Sequence, residues 1–253
     1  MLNTSLFYKV YEKLFMNNFL DLILDNYIKG KIKFSNNKLI VFDVGAYKGT
    51  FSRDFNEKLK YENKKINFYL FDPCINFVNL KKKSKSFKYF DLALESSKPG
   101  IKKFYSNNFL PASGSSLKGD SFKDKKYIAS RSFIAFFINP FKKMFKIIKV
   151  KVDNIDNFCD KNNIKYINIL KIDTEGTELD VLMGSKKMLN KTDIICIEIQ
   201  ASAKKFNYRL KKIEKLLEKK YQLFYSKRIL LASILTGIVS YDYIFVRKSC
   251  LKS

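Results

Sequence analysis

From Leu39 onward, short apolar runs alternate with amphipathic stretches. The runs are "LIVFDV" from 39, "INFYLFDP" at 66–73, "FKYFDLAL" at 87–94, "YINILKIDTEG" at 166–176 and "DIICIEIQ" at 193–200. They are rich in β-branched and aromatic residues and end on Gly, Pro or acids, which predicts five strands. "DIICIEIQ" is apolar on both faces up to Glu198, as a central parallel strand is. Helical spacing follows several of them: residues 50–62, "FVNLKKKSKS", "TELDVLMGSKKML" with Leu179, Leu182 and Met183 inward, and 206–220 with Leu210, Ile213 and Leu217 on one side. "IIKVKV" reads as a further strand before a short helix that Asp153 or Asp156 could cap. Strand–helix alternation predicts an α/β fold, a parallel sheet with helices on both faces. "YQLFYS" and "YDYIFVRK" are expected to finish the sheet as an antiparallel pair.

Two stretches stand outside this rhythm. Residues 5–28 repeat apolar side chains at spacings near three and four, so 1–37 is expected to be a helical segment packing on a single domain, 38–253. Residues 98–151 interrupt the domain. They begin like a hairpin around "KPG", hold Pro99, Pro111 and Pro140, and carry lysine and arginine far in excess of Asp120 and Asp124. Within them Phe133, Phe136, Phe137, Phe141 and Phe145 lie among Arg131, Lys142, Lys143 and Lys146. This pattern suits either an interfacial element meeting lipid headgroups or a flap packed on the core.

A chain of 253 residues, 46% hydrophobic, can bury the core of one sizeable domain. The net charge of +25 changes the picture more, because it calls for an anionic partner: phosphate esters, nucleic acid or a membrane surface. The chain has no histidine, which excludes Ser-His-Asp and Cys-His catalysis and histidine-ligated zinc. Its four cysteines are far apart with no CxxC pair, as expected of thiols in a reducing compartment. "ILLASILTGIV" is too short to span a bilayer, and Glu12, Asp21 and Asp25 interrupt the first apolar stretch. A cytoplasmic protein, in peripheral contact with the inner face of a membrane if the 131–146 stretch is interfacial, is the expectation.

Candidate chemistry lies where the strands end. In an open parallel sheet, ligands bind beyond the carboxyl ends of the strands. The first strand ends in Asp43 and a turn, Gly45-Ala46-Tyr47-Lys48-Gly49; the next four end in Asp72, Asp91, Asp173 with Glu175, and Glu198. Five consecutive carboxylates at one edge are more than helix capping requires, and burying them without partners is costly. Gly45 and Gly49 let the backbone approach a ligand, and the helix from Thr50 offers amides to an anion. Asp72 is placed to accept from both hydroxyls of a ribose, Asp91 to reach an adenine amine, and Ala93 to line the ring.

The motifs "FDVGAYKG", "FDP", "LAL", "GSS", "NIDNF", "LKIDTEGTELDVLMG" and "IEI", in this order, resemble the FkbM family of S-adenosylmethionine-dependent methyltransferases over about residues 38–200. The resemblance implies a seven-stranded Rossmann-like (class I methyltransferase) sheet with an antiparallel last strand. It also implies methyl transfer, generally to a hydroxyl oxygen of a sugar or polyketide. By motif, Asp43, Gly45, Gly49 and Asp72 would bind S-adenosylmethionine; Tyr47-Lys48 replaces a smaller polar pair, and Asp72 stands where Glu is frequent. The sulfonium is already a strong donor, so the protein must align an oxygen behind the methyl and accept its proton. Without histidine, Asp173, Glu175 or Glu198 is the expected base, with Glu175 alternatively a helix cap. Asp173 and Glu198 could instead hold Mg²⁺. A cell-surface glycan precursor bearing phosphate or lipid would suit the basic charge. Two other functions compete: a nucleic-acid methyltransferase, against which "DTEG" lacks the prolines of base-methylating enzymes, and a non-catalytic scaffold at a membrane.

Overall fold

The first apolar run forms strand β1 (Leu39–Val44), whose alternate side chains enter two different apolar clusters. A computed structural model of the chain describes residues 22–23, 25–26, 30–34, 38–59, 65–74, 86–107, 115–117, 145–229 and 238–252. After β1 come helix α1 (Thr50–Lys58), β2 (Ile66–Phe71), β3 (Phe87–Phe90), β4 (Ala93–Leu94), β5 (Gly100–Asn107) and β6 (Phe145–Asp153). Then follow α2 (Ile155–Lys161), β7 (Ile167–Ile172), α3 (Glu178–Met183), β8 (Thr192–Ser202), α4 (Ala203–Leu217), β9 (Tyr221–Arg228) and β10 (Ile238–Arg247).

Seven strands make one sheet in the order β3-β2-β1-β7-β8-β10-β9. All neighbours are parallel except β10, which runs antiparallel to both β8 and β9. The chain builds outward from β1 through β2 and β3, then returns to the other side of β1 with β7. The switch point of this sheet therefore lies between β1 and β7, and beyond the strand ends there is where open parallel sheets bind their ligands. Phe42, Val44, Leu170, Ile172, Ile195 and Ile197 pack with Phe158 of α2, Leu182 of α3 and Ile213 of α4. Val41, Ile169, Ile194 and Cys196 point the other way and pack with Phe51 and Phe55 of α1. Ile23 and Ile32 are buried in this second cluster, and the Lys33 amide donates to Cys250 O at 2.9 Å.

Several expectations are corrected. The run 87–94 is not one strand: the Leu92 amide donates back to Phe90 O at 2.9 Å, and this tight turn diverts the chain out of the main sheet. Ala93 and Leu94 instead pair with Val152 and Asp153. They belong to a second sheet ordered β4-β6-β5, so "KPG" closes no hairpin between its flanking strands; β6 lies between them. Neither Asp153 nor Asp156 caps α2. Asn154 does, accepting from the Asn157 amide at 2.8 Å, while Asp156 accepts from the Lys187 and Met188 amides. Met183 is 41% exposed, and Val181 takes the inward place on this short helix. The helices expected before residue 22, the helix of "FVNLKKKSKS", the stretch 131–144 and most of "ILLASILTGIV" lie outside the described residues.

Candidate active site

The glycine turn closes directly over the switch point. Gly45 has φ 78°, and a Cβ there would sit 1.8 Å from Asp173 O, so both conformation and space demand glycine. Gly49, φ 71°, caps α1 in the same left-handed conformation. Tyr47 also has positive φ, 49°, which costs an L-residue about 1–2 kcal/mol. Asp72 holds it there, because Asp72 Oδ2 accepts from the Tyr47 amide at 2.9 Å. Asp72 Oδ1 accepts from the Cys74 amide at 2.8 Å, an Asx turn around Pro73. Burial outweighs these amides and the charge of Lys171, pushing the Asp72 carboxyl up to about 6.

Asp43 is fully buried. Its Oδ2 accepts from Ser52 Oγ at 2.8 Å, and its Oδ1 lies 3.3 Å from Lys171 Nζ. It thus secures the turn to α1 and β7. Lys171 also lies 3.3 Å from Asp173 Oδ2 and donates to Gly45 O at 3.3 Å. Burial alone would lower its pKa, but Asp43 and Asp173 hold it above its ordinary value. Thr174 Oγ1, beside Gly45, is buried without a hydrogen-bond partner among the described residues.

Three predicted acids converge with one that the sequence reading missed. Asp173 follows β7 and Glu198 lies one residue past the last β7–β8 pair, Ile172 and Ile197. Asp242 of β10 stands directly across from Glu198, and Lys227 of β9 directly across from Asp242. Glu198 Oε1 accepts from Gln200 Nε2 at 2.6 Å and from Ser240 Oγ at 2.8 Å. Burial, then the charges of Asp173, Asp242 and Glu175, hold Glu198 well above the usual carboxyl range. Burial and Asp173 raise Asp242 to about 8, against the opposing pull of Lys227 and Lys171. Because β10 is antiparallel, its first residues reach the same edge as the ends of the parallel strands. A lone acid early in the apolar "SYDYIF" was the available signal.

Glu175 does not cap α3. It has φ 54°, and Thr177 precedes the helix. The clamp on this loop is the fully buried Glu178, also missed: its Oε1 accepts from the Gly176 amide at 2.5 Å and Oε2 meets Arg209 Nη1 at 3.3 Å. Burial outweighs both partners and raises Glu178 to about 7. Asp91 is exposed just past β3, and Ala93 is buried in β4, so the turn between them separates their sheets. Among the described residues no three Asp, Glu or Cys side chains are grouped to hold a metal ion. No helix among them is long and apolar enough to cross a membrane.

The raised carboxyls make a stability prediction. Asp72, Glu178 and Asp242 bind protons more tightly folded than unfolded, where acids titrate near about 4. Their stabilisation is complete below the unfolded value and is lost as pH rises through about 6, 7 and 8 respectively. The melting temperature should fall between pH 5.5 and 8.5, roughly. Asp242→Asn, which mimics the protonated acid, should flatten the alkaline part by an amount on the order of a few kcal/mol. Thermal melts across this range check it; an unchanged slope in the variant would contradict the assignment.

A family model, the methyltransferase FkbM domain, matches residues 43–223, from Asp43 of β1 into β9. No curated protein sequence matches the chain. Among solved structures, a candidate RNA methyltransferase from Pyrococcus horikoshii is 14% identical, covering 90% of this chain and 81% of that one with a TM-score of 0.38. A candidate hemolysin from Streptococcus thermophilus is 9% identical, covering 90% and 65% with a TM-score of 0.45. Likenesses this remote say nothing of substrate. The family match spans the turn, the acids after β2, β3 and β7, and Glu198, and on it the chain belongs to the FkbM methyltransferase family.

Proposed function

We propose that this methyltransferase transfers the methyl group of S-adenosylmethionine to a hydroxyl oxygen, that of a sugar in a cell-surface glycan or its nucleotide- or lipid-linked precursor. The observation that carries this reading is the placement of Asp173 and Glu198 at the strand edge beside the Gly45–Gly49 turn. The turn supplies the donor side. Gly45, Ala46 and Gly49 are assigned to the methionyl part and the first amides of α1 to its carboxylate. Asp72 spends one lone pair of each oxygen on an amide, leaving further acceptor capacity for ribose hydroxyls. Asp91 is assigned to the adenine amine and Ala93 to the ring. Asp43 acts indirectly, through Ser52 and Lys171.

When bound, S-adenosylmethionine supplies an activated methyl on sulfur. The chain's own task is to hold an acceptor oxygen in line behind it and take its proton. Glu198 is the proposed base, since burial and the neighbouring acids make it more basic than an ordinary carboxylate. Asp173, paired with Lys171, orients the hydroxyl, and Glu175 borders the site. In a metal-dependent reaction, Asp173 and Glu198 would hold Mg²⁺ and the ion would make the hydroxyl more acidic. The net charge of +25 favours an acceptor bearing phosphate, met in the cytoplasm or at the inner membrane face, with the 98–151 insertion forming the acceptor wall.

The test is to incubate the protein with labelled S-adenosylmethionine and separated glycan, lipid and RNA extracts. Label should enter the nucleotide-linked, lipid-linked or polymeric glycan fraction. Label confined to RNA would replace this acceptor with nucleic acid.

A further inference from the structure

Lys171 is a largely buried cation in a strand that otherwise needs none. Its neighbours in register are Asp43 of β1 and Cys196 of β8, and the Phe51 ring lies 6.0 Å from its Nζ. An apolar side chain would suit such a position at less desolvation cost. An ammonium has three donors and no acceptor, and three oxygens at 3.3 Å surround this one: Asp43 Oδ1, Gly45 O and Asp173 Oδ2. One belongs to strand β1, one to the glycine turn and the third to the acid after β7. The backbones are already joined, since the Asp173 amide donates to Val44 O at 2.9 Å. What the ammonium adds is the orientation of the Asp173 carboxylate relative to the turn.

We propose that Lys171 is a positioning residue for methyl transfer, clamping the turn that receives the donor to the Asp173 carboxylate that faces the acceptor. This role rests on the methyl-donor reading above. It has a signature that a purely structural lysine lacks. S-adenosylmethionine carries a positive sulfur and S-adenosylhomocysteine does not. Loss of the clamp would weaken both ligands by loosening the turn, while removal of a positive charge from the donor site would offset part of that for S-adenosylmethionine alone, because only it is positively charged at sulfur.

Calorimetric titration of wild type, Lys171→Met and Lys171→Arg with the two ligands tests this. Lys171→Met should lose about tenfold in S-adenosylhomocysteine affinity. The ratio of the two affinities should move about threefold toward S-adenosylmethionine, and Lys171→Arg should recover most of both effects. If Lys171→Met does not fold, Asp43→Asn with Lys171→Met removes the carboxylate left orphaned; this pair leaves the net charge unchanged, so a similar loss of affinity is expected for both ligands with little shift in their ratio. Unchanged affinities in a folded variant, or in Lys171→Met alone an equal loss for both ligands that arginine does not rescue, would overturn the role and leave the methyl-donor reading standing. Failure of the wild-type protein to bind either ligand would overturn that reading, and the role with it.

Discussion

Gly45→Ala is expected to bind S-adenosylmethionine about 100-fold more weakly than wild type and to unfold at lower denaturant. Two costs add. An alanine at φ 78° pays the left-handed penalty of about 1–2 kcal/mol. Its methyl would also lie 1.8 Å from Asp173 O, an overlap with backbone that no rotamer change can relieve. The two strand ends must part, and the contacts of Lys171 with Gly45 O and Asp173 stretch with them. Gly49→Ala shares the conformational cost, but its new methyl meets only the Leu70 side chain at 2.5 Å, which can move. Denaturant midpoints and ligand titrations of both variants should rank Gly45→Ala as the more damaging. The reverse order would mean that the close approach of the turn to Asp173 is not what holds the donor site.

Glu198→Gln is expected to slow methyl transfer by about 10²–10⁴-fold, the range for loss of a general base, with S-adenosylmethionine affinity changed by only about a fewfold. Glutamine keeps the shape and can still accept from Ser240 Oγ and Gln200 Nε2, so the fold should survive. It cannot take up the acceptor's proton. Removing one charge from the group formed with Asp173, Asp242 and Glu175 should also ease ionisation of Asp242 and so stabilise the variant at alkaline pH. Single-turnover transfer to the labelled acceptor fraction, read beside equilibrium binding, separates the two effects. Near-normal turnover in Glu198→Gln would move the proton-accepting role to Asp173 or Glu175.

The main sheet was legible because each of its strands is a local signal. β1, β2 and β7 are short, apolar and followed by a turn former or an acid, β8 is apolar up to Glu198 and continues to Ser202, and α4 shows its buried stripe in its spacing. The run at 87–94 was misread because periodicity does not record direction. Phe87–Phe90 and Ala93–Leu94 lie in one mostly apolar run, and only pairing with β6 shows that the chain has left one sheet for another. Asn154 displaced two plausible acid caps for a similar reason: Asp153 and Asp156 have partners elsewhere, Asp156 on the amides of Lys187 and Met188.

By itself the sequence determined the alternation of strand and helix, the glycine turn, the acids ending the parallel strands and the absence of histidine, all set by residues close together in the chain. Only the tertiary structure decided which polar groups share the site. Lys171 is separated from Gly45 by 126 positions yet donates to its carbonyl, and Asp242 reaches Glu198 because β10 runs against the other strands. Glu178 likewise looks like an ordinary first-turn acid until Arg209 and the Gly176 amide close on it. Burial and pairing across strands set the charge of these groups, and neither is a property of neighbouring residues along the chain.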